Sequence, residues 1–238
     1  MKENQNMKVS VIITAGGKGE RFGGEIPKQF IELNGKPIII HTIEAFTNIE
    51  EVESIIIPAH SEWFTYTKEL ISKYDLPKVK DIVVGGKERQ DSVFNALQSN
   101  VLEDTEIVMV HDSVRPFVDT KTIKKLIEQT EDYGAVVLGN MPKDPVKEVN
   151  SKSEIVKTIQ RNKIAISQTP QCFWKDIITN AYQKAREVNY IGSDSSQLAE
   201  FAGYKVFVIE GSEFNIKITT QFDLKLAALI YEEMNNKK

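Results

Sequence analysis

Short, β-branched apolar runs alternate along most of the chain with segments whose apolar residues recur at helical spacing. Runs at 9–13, 52–57, 82–84, 107–110 and 135–138 predict buried strands. Segments 37–46, 63–73, 89–98 and 120–131 predict helices between them, the first opened by Pro37 at a helix-start position. This alternation predicts an α/β fold, a mostly parallel sheet covered by helices on both faces in three layers. The rhythm breaks at 141–168, a charged stretch carrying Pro142 and Pro145 and then an extended-looking 155–159, which reads as an excursion from the main sheet. It resumes with a helix at 175–187, a strand at 206–209 and a closing amphipathic helix at 222–233. No repeat or low-complexity linker intervenes, so 1–238 is expected to form one domain with 141–168 as an appendage.

With 238 residues, 41% hydrophobic and 27% charged, the chain can build a full core and lacks the bias of disordered or membrane proteins. The net charge of −4 offers no global basic field to nucleic acid or anionic lipid. Phosphate recognition then has to come from local basic clusters, and a small anionic substrate is expected. A single cysteine, Cys172, excludes an intrachain disulfide or a thiolate metal cluster and fits a reducing cytosol. The amino-terminal stretch lacks a signal-peptide core, and no run reaches membrane-spanning length.

Four clusters carry candidate chemistry. After the first strand comes Thr14-Ala15-Gly16-Gly17-Lys18-Gly19-Glu20-Arg21, followed by Pro27-Lys28-Gln29. Closely spaced glycines let backbone N–H groups approach a phosphate, and Arg21 and Lys28 would add two cations. It is neither a Walker sequence nor a dinucleotide fingerprint, and a surface turn is its plain alternative. Gly85-Gly86-Lys87-Glu88-Arg89-Gln90-Asp91-Ser92-Val93 opens a helix, whose free N–H groups suit an anion or the rim of a base; Asp91 or Ser92 could equally be helix-start residues. His111-Asp112-Ser113-Val114-Arg115-Pro116 ends an apolar strand, where open parallel sheets bind ligands. One carboxylate there, with triphosphate oxygens and water, suffices for magnesium; the alternatives are a local Asp112–Arg115 ion pair and a hydrogen-bonded core His111. Lastly, Lys217 sits between Ile216 and Ile218, so alternation turns it away from their face, toward function or merely toward solvent.

Together the clusters resemble, in order from about Lys8 to Glu232, the 2-C-methyl-D-erythritol 4-phosphate cytidylyltransferase family of isoprenoid-precursor synthesis. Further matching pieces are Gln168-Thr169-Pro170-Gln171 and Glu210-Gly211-Ser212. The resemblance implies a three-layer, Rossmann-like, mostly parallel sheet with a protruding β-arm. It implies that Ala15, Gly16, Gly17, Gly19, Gly86, Asp91 and Ser92 bind the nucleotide and that Arg21, Lys28 and Lys217 are the catalytic cations. It assigns Asp112 to Mg2+, and Arg115, Arg161 and Thr219 to the second substrate. The arm implies a homodimer whose Arg161 reaches a neighbour's site. Asp144-Pro145-Val146-Lys147 departs from the family, which often has threonine where Pro145 stands, and Glu213-Phe214 replaces a small acidic pattern. Ribitol-5-phosphate cytidylyltransferase, a close relative sharing the fold and a similar ending, is the alternative.

The implied reaction is attack by the acceptor's phosphate oxygen on the α-phosphorus of CTP with pyrophosphate leaving. It needs alignment and charge neutralisation rather than a protein nucleophile. A glycosyltransferase would usually present two aspartates around one residue at the metal-binding strand end, whereas Ser113 and Val114 follow Asp112. A regulatory subunit that has lost chemistry would not be expected to keep Arg21, Lys28, Asp112 and Lys217 together.

Overall fold

A computed structural model describes residues 7–17 and 26–236. From the amino terminus, β1 (Val9–Thr14) is followed by a small hairpin of β2 (Glu32–Leu33) and β3 (Lys36–Pro37), then α1 (Ile38–Thr47) and β4 (Val52–Ala59). Next come α2 (Phe64–Lys73), β5 (Val79–Val84), α3 (Arg89–Leu97), β6 (Ile107–Asp112), α4 (Thr120–Tyr133) and β7 (Ala135–Asn140). The excursion holds β8 (Val146–Val149) and β9 (Ile155–Ile159), after which β10 (Ile166–Trp174), α5 (Lys175–Glu187), α6 (Ser195–Phe201), β11 (Phe207–Glu210) and α7 (Gln221–Asn236) complete the chain.

Seven strands form the main sheet in the order β11-β7-β10-β6-β1-β4-β5. β10 runs antiparallel to both neighbours, and the other four pairings are parallel. Alternation along β1 sends Val9, Val11 and Ile13 to one face and Ile12 to the other. The first face packs on α1 and α4 through residues such as Ile39, Ile43, Phe46, Ile123 and Leu126. The second packs on α3, α5 and α6 through Val93, Ala96, Ile178, Tyr182 and Leu198. Each large side chain so buried contributes about 1.5–3 kcal/mol, which is why strands apolar on both faces settle between two helix layers. A third cluster sets α7 over the β2–β3 hairpin and the segment after β6, joining Ile38, Val114, Phe117, Ile218 and Ile230.

Local chemistry sets the helix ends. Asp119 caps α4 by accepting from the Thr122 N–H at 2.8 Å. The helix stops at Gly134, whose φ of 79° and N–H to Thr130 carbonyl bond close the last turn. Pro37 precedes α1, as its fixed φ favours, so the helix begins one residue later than expected.

β10 and α6 are absent from the sequence pattern. β10 contains Gln168-Thr169-Pro170-Gln171, a composition that argues against a central strand, yet these polar side chains are buried between β6 and β7. The ladder with β7 shifts register between Gln168 and Gln171, which accommodates the proline that cannot donate. Because Ile166 to Gln168 already pair with Asn140 to Leu138, the excursion ends before Ile166 and is shorter than the expected 141–168. Its β8–β9 hairpin stands as a separate two-stranded sheet.

Gln171, 1% exposed, has its needs met by tertiary partners. Its Nε2 donates to Ser167 Oγ at 3.2 Å and to Asp194 Oδ2 at 2.8 Å. Its Oε1 accepts from the N–H groups of Ser195 at 3.0 Å and Ser196 at 3.3 Å, at the start of α6. Gln171→Leu would strand these groups in the core and is expected to cost about 3 kcal/mol, read as a lower denaturation midpoint in urea. A midpoint within a few tenths of a molar of the wild type would show that α6 does not depend on this side chain.

Candidate active site

The chain reverses direction across the sheet beside β1, whose neighbours β4 and β6 leave to opposite sides. At such a switch point the carboxyl ends of strands leave a crevice. A cleft of about 950 Å³ opens there, lined by Gly16 and Gly17 after β1, Gly86 and Arg89 around the start of α3, and Asp112 ending β6. Lys28 and Lys217 also line it.

The glycine loop is held from beneath. Gln29, 2% exposed, donates from Nε2 to the carbonyls of Ala15 at 3.0 Å and Gly17 at 3.3 Å. This clamp joins the described part of the loop to the short 3-10 turn Lys28–Phe30 and so sets where Lys28 stands. Ala15 is buried and is not a lining residue. Gly19 and Arg21 lie outside the described residues.

The second loop folds onto α3. Ser92 Oγ accepts the Gly86 N–H at 3.0 Å and donates to the Glu88 carbonyl at 3.1 Å. A Cβ at Gly86 would fall 2.1 Å from Asp91 Cβ, so only glycine permits this turn to close over the helix start. Ser92 lines the cleft; Asp91 does not, and its Oδ2 accepts the Glu88 N–H at 3.1 Å as part of the helix start.

Asp112 is the electrostatic centre, 6% exposed and touched by three cations. Arg89 Nε lies 3.3 Å from Oδ1, while Arg115 Nε at 3.4 Å and Lys217 Nζ at 2.8 Å share Oδ2. Burial alone would raise the Asp112 pKa, but Arg89, Lys217 and Arg115 outweigh it and hold the carboxyl well below the usual carboxylate range. Burial also opposes the charge on Arg89, and Asp112 reverses that, so the Arg89 pKa lies above its ordinary value. Arg115 differs: its side chain is 11% exposed, and Nη1 donates to the Asn215 carbonyl at 2.8 Å. It pairs with Asp112 beneath the cleft and is not among the residues that line it.

His111 is fully buried and lies beneath this centre. Its Nε2 faces the Arg115 carbonyl at 2.9 Å and must donate, leaving Nδ1 to accept from Thr169 Oγ1 at 3.0 Å. Thr169 Oγ1 in turn accepts the Asp112 N–H at 3.1 Å. Burial pulls the His111 pKa down to about 4, so the ring is a neutral structural part at neutral pH. Burial likewise pushes the Cys172 thiol up to about 12, which removes it as a nucleophile.

Thr219 and Arg161 do not line this cleft. Thr219 donates from N and Oγ1 to Asp223 Oδ2 at 2.8 and 2.7 Å, at the entry to α7. Arg161 lies on the arm after β9, exposed, with Nη1 on the Lys143 carbonyl. Arg89 and Thr169 carry no role legible in the sequence, nor do His60 and Ser61, which line the cleft after β4, stand out there. For the last pair the signal was available, since they follow the carboxyl end of a strand.

Among the described residues no helix is long and apolar enough to cross a membrane. A family model described as IspD, 2-C-methyl-D-erythritol 4-phosphate cytidylyltransferase, matches residues 9–233. A relative with that name from Clostridium botulinum (strain Loch Maree / Type A3) is 41% identical over 227 residues, covering 95% of this chain and 99% of its own. Another from Dictyoglomus thermophilum is 44% identical over 219 residues, covering 91% and 94%. The crystal structure of 4-diphosphocytidyl-2C-methyl-D-erythritol synthase from Anaerococcus prevotii superposes with a TM-score of 0.85 at 30% identity, covering 95% of this chain and 97% of that one. The 2-C-methyl-D-erythritol 4-phosphate cytidylyltransferase of Thermus thermophilus superposes at 0.75 with 27% identity, covering 95% and 100%.

Proposed function

Because the chain belongs to the 2-C-methyl-D-erythritol 4-phosphate cytidylyltransferase family, we propose that the cleft around Asp112 is where it binds CTP and carries out its reaction. The chain is a CTP-dependent nucleotidyltransferase of isoprenoid-precursor synthesis, with 2-C-methyl-D-erythritol 4-phosphate as its acceptor. Ribitol 5-phosphate, the alternative raised by the sequence, finds no support among these relatives. An acceptor phosphate oxygen forms a bond to the α-phosphorus of CTP as the α–β bridging bond breaks and pyrophosphate departs.

The observation that carries the site assignment is the cationic cleft floor: an ionised Asp112 ringed by Arg89, Arg115 and Lys217, with Lys28 lining the same cleft. Lys28 and Lys217, with Arg21, neutralise charge that grows on the α-phosphate and the leaving group. Gly16, Gly17, Gly86 and Ser92 frame the nucleotide, and Gly19 serves the same site; Asp91 acts there by fixing the start of α3, and Ala15 through its carbonyl, which Gln29 holds.

The donor set also fits Mg2+. Among the described residues there is no cluster of three or more acidic, histidine or cysteine side chains, so a closed protein cage is not available. One ionised carboxylate with substrate phosphates and water is the ligand set magnesium commonly takes. Asp112 would hold the ion, which when bound supplies positive charge across phosphate oxygens.

The β8–β9 hairpin leaves Val149, Ile155 and Val156 more than half exposed, which supports a role for it as a dimerisation arm. Arg161 would then grip the acceptor's phosphate in the partner's site, close to the groups there equivalent to Arg115 and Thr219. A cytosolic location is supported by the lone, buried Cys172. Arg161→Ala is expected to raise KM for methylerythritol phosphate about tenfold or more while leaving KM for CTP within about twofold. Sedimentation should give a dimer. A monomer at assay concentration, with equal effects on both substrates, would defeat the shared site.

A further inference from the structure

Arg89 is the first residue of α3, where a cation meets the positive end of the helix and is disfavoured. Its side chain nevertheless runs to Asp112 Oδ1, and it remains 29% exposed, facing the cleft. Arg89 contributes most to holding Asp112 ionised, yet the carboxylate has a counter-ion without it, because the more deeply buried Arg115 pairs with Oδ2 and is fixed by the Asn215 carbonyl. With Lys217 on Oδ2 as well, three positive charges face one carboxylate. Both oxygens are taken, and the cleft floor is cationic. Such a floor repels a bare divalent cation and attracts a polyphosphate.

We propose that Arg89 is a positioning residue that closes Asp112 Oδ1 to free divalent cations, so that the metal enters only together with the nucleotide. The inference rests on the reading of Asp112 as the metal-binding carboxylate. Phosphate charge offsets the surplus of cations, and only then can Arg89 give up Oδ1 without leaving its own guanidinium unpaired. Removing Arg89 should therefore tighten metal binding in the absence of nucleotide, whereas loss of a merely structural residue would loosen it.

The test is titration of the whole protein with Mn2+, read by electron paramagnetic resonance, with and without a non-hydrolysable α,β-methylene analogue of CTP. Wild type should bind Mn2+ about fiftyfold or more weakly without the analogue than with it. Arg89→Gln, with Arg89→Met as a second variant, should tighten nucleotide-free Mn2+ binding about tenfold, while Arg89→Lys should stay within about twofold of wild type. Unchanged or weaker nucleotide-free binding in folded Arg89→Gln and Arg89→Met overturns the proposal. Asp112→Asn distinguishes the two levels. If it keeps wild-type Mn2+ binding with the analogue, the metal assignment of Asp112 falls and this inference with it. If it loses that binding while Arg89→Gln fails to tighten, only the inference about Arg89 falls.

Discussion

Asp112→Asn is expected to lower kcat by about a thousandfold, or about 4 kcal/mol in the barrier. The amide keeps the shape of the side chain but removes the negative charge around which Arg89, Arg115 and Lys217 are gathered. Magnesium dependence should flatten, because a neutral oxygen is a poor ligand for a hard cation. The loss exceeds that of a single hydrogen bond because the change acts on the metal and on the placement of the cations. Thermal melting in parallel tests whether the fold survives, since the largely buried Arg115 loses the opposing charge beside it. A folded variant with kcat within tenfold of wild type and an unaltered magnesium titration would assign Asp112 to structure alone.

Lys217→Met is the second large effect, expected at about a thousandfold in kcat with a smaller change in KM for CTP. Lys217 sits 2.8 Å from Asp112 Oδ2 and lines the cleft, while its neighbour Ile218 is fully buried and its N–H bonds to the Val114 carbonyl at 3.0 Å. The buried isoleucine anchors the segment, so methionine in place of the half-exposed lysine should leave the fold intact. Because Lys217 and Asp112 act as a unit, the double variant should be about as slow as either single one. Multiplicative losses would show that the two residues act independently.

The sequence by itself determined whatever depends on neighbours in the chain. Alternating apolar runs gave six strands of the main sheet, because strands buried on both faces must be apolar on both faces. Glycines and polar residues following those strands marked the loops of the cleft, since a phosphate-sized ligand needs open backbone at strand ends. Asp112, Lys28 and Lys217 were legible as isolated charges beside apolar elements. The contacts of two candidates were not legible: Asp91 accepts the Glu88 N–H at the start of α3, and Thr219, named through the resemblance, donates to Asp223 at the entry to α7.

Only the tertiary structure decided how these pieces meet. β10 was illegible because its glutamines and threonine are satisfied by groups distant in sequence, Gln171 by Asp194 and Ser195 and Thr169 by His111. No local pattern announces a polar strand whose partners come from elsewhere. The Asp112 centre is of the same kind. Arg115, three residues on, is a neighbour that spacing alone could bring to Asp112, but Arg89 arrives from the start of α3 and Lys217 from beyond β11, and sheet order rather than spacing sets those two about the carboxylate. Hydrophobic periodicity thus specified layers and strand ends, while the balance between burial and charge, which makes Asp112 an ionised centre, exists only once the strands are side by side.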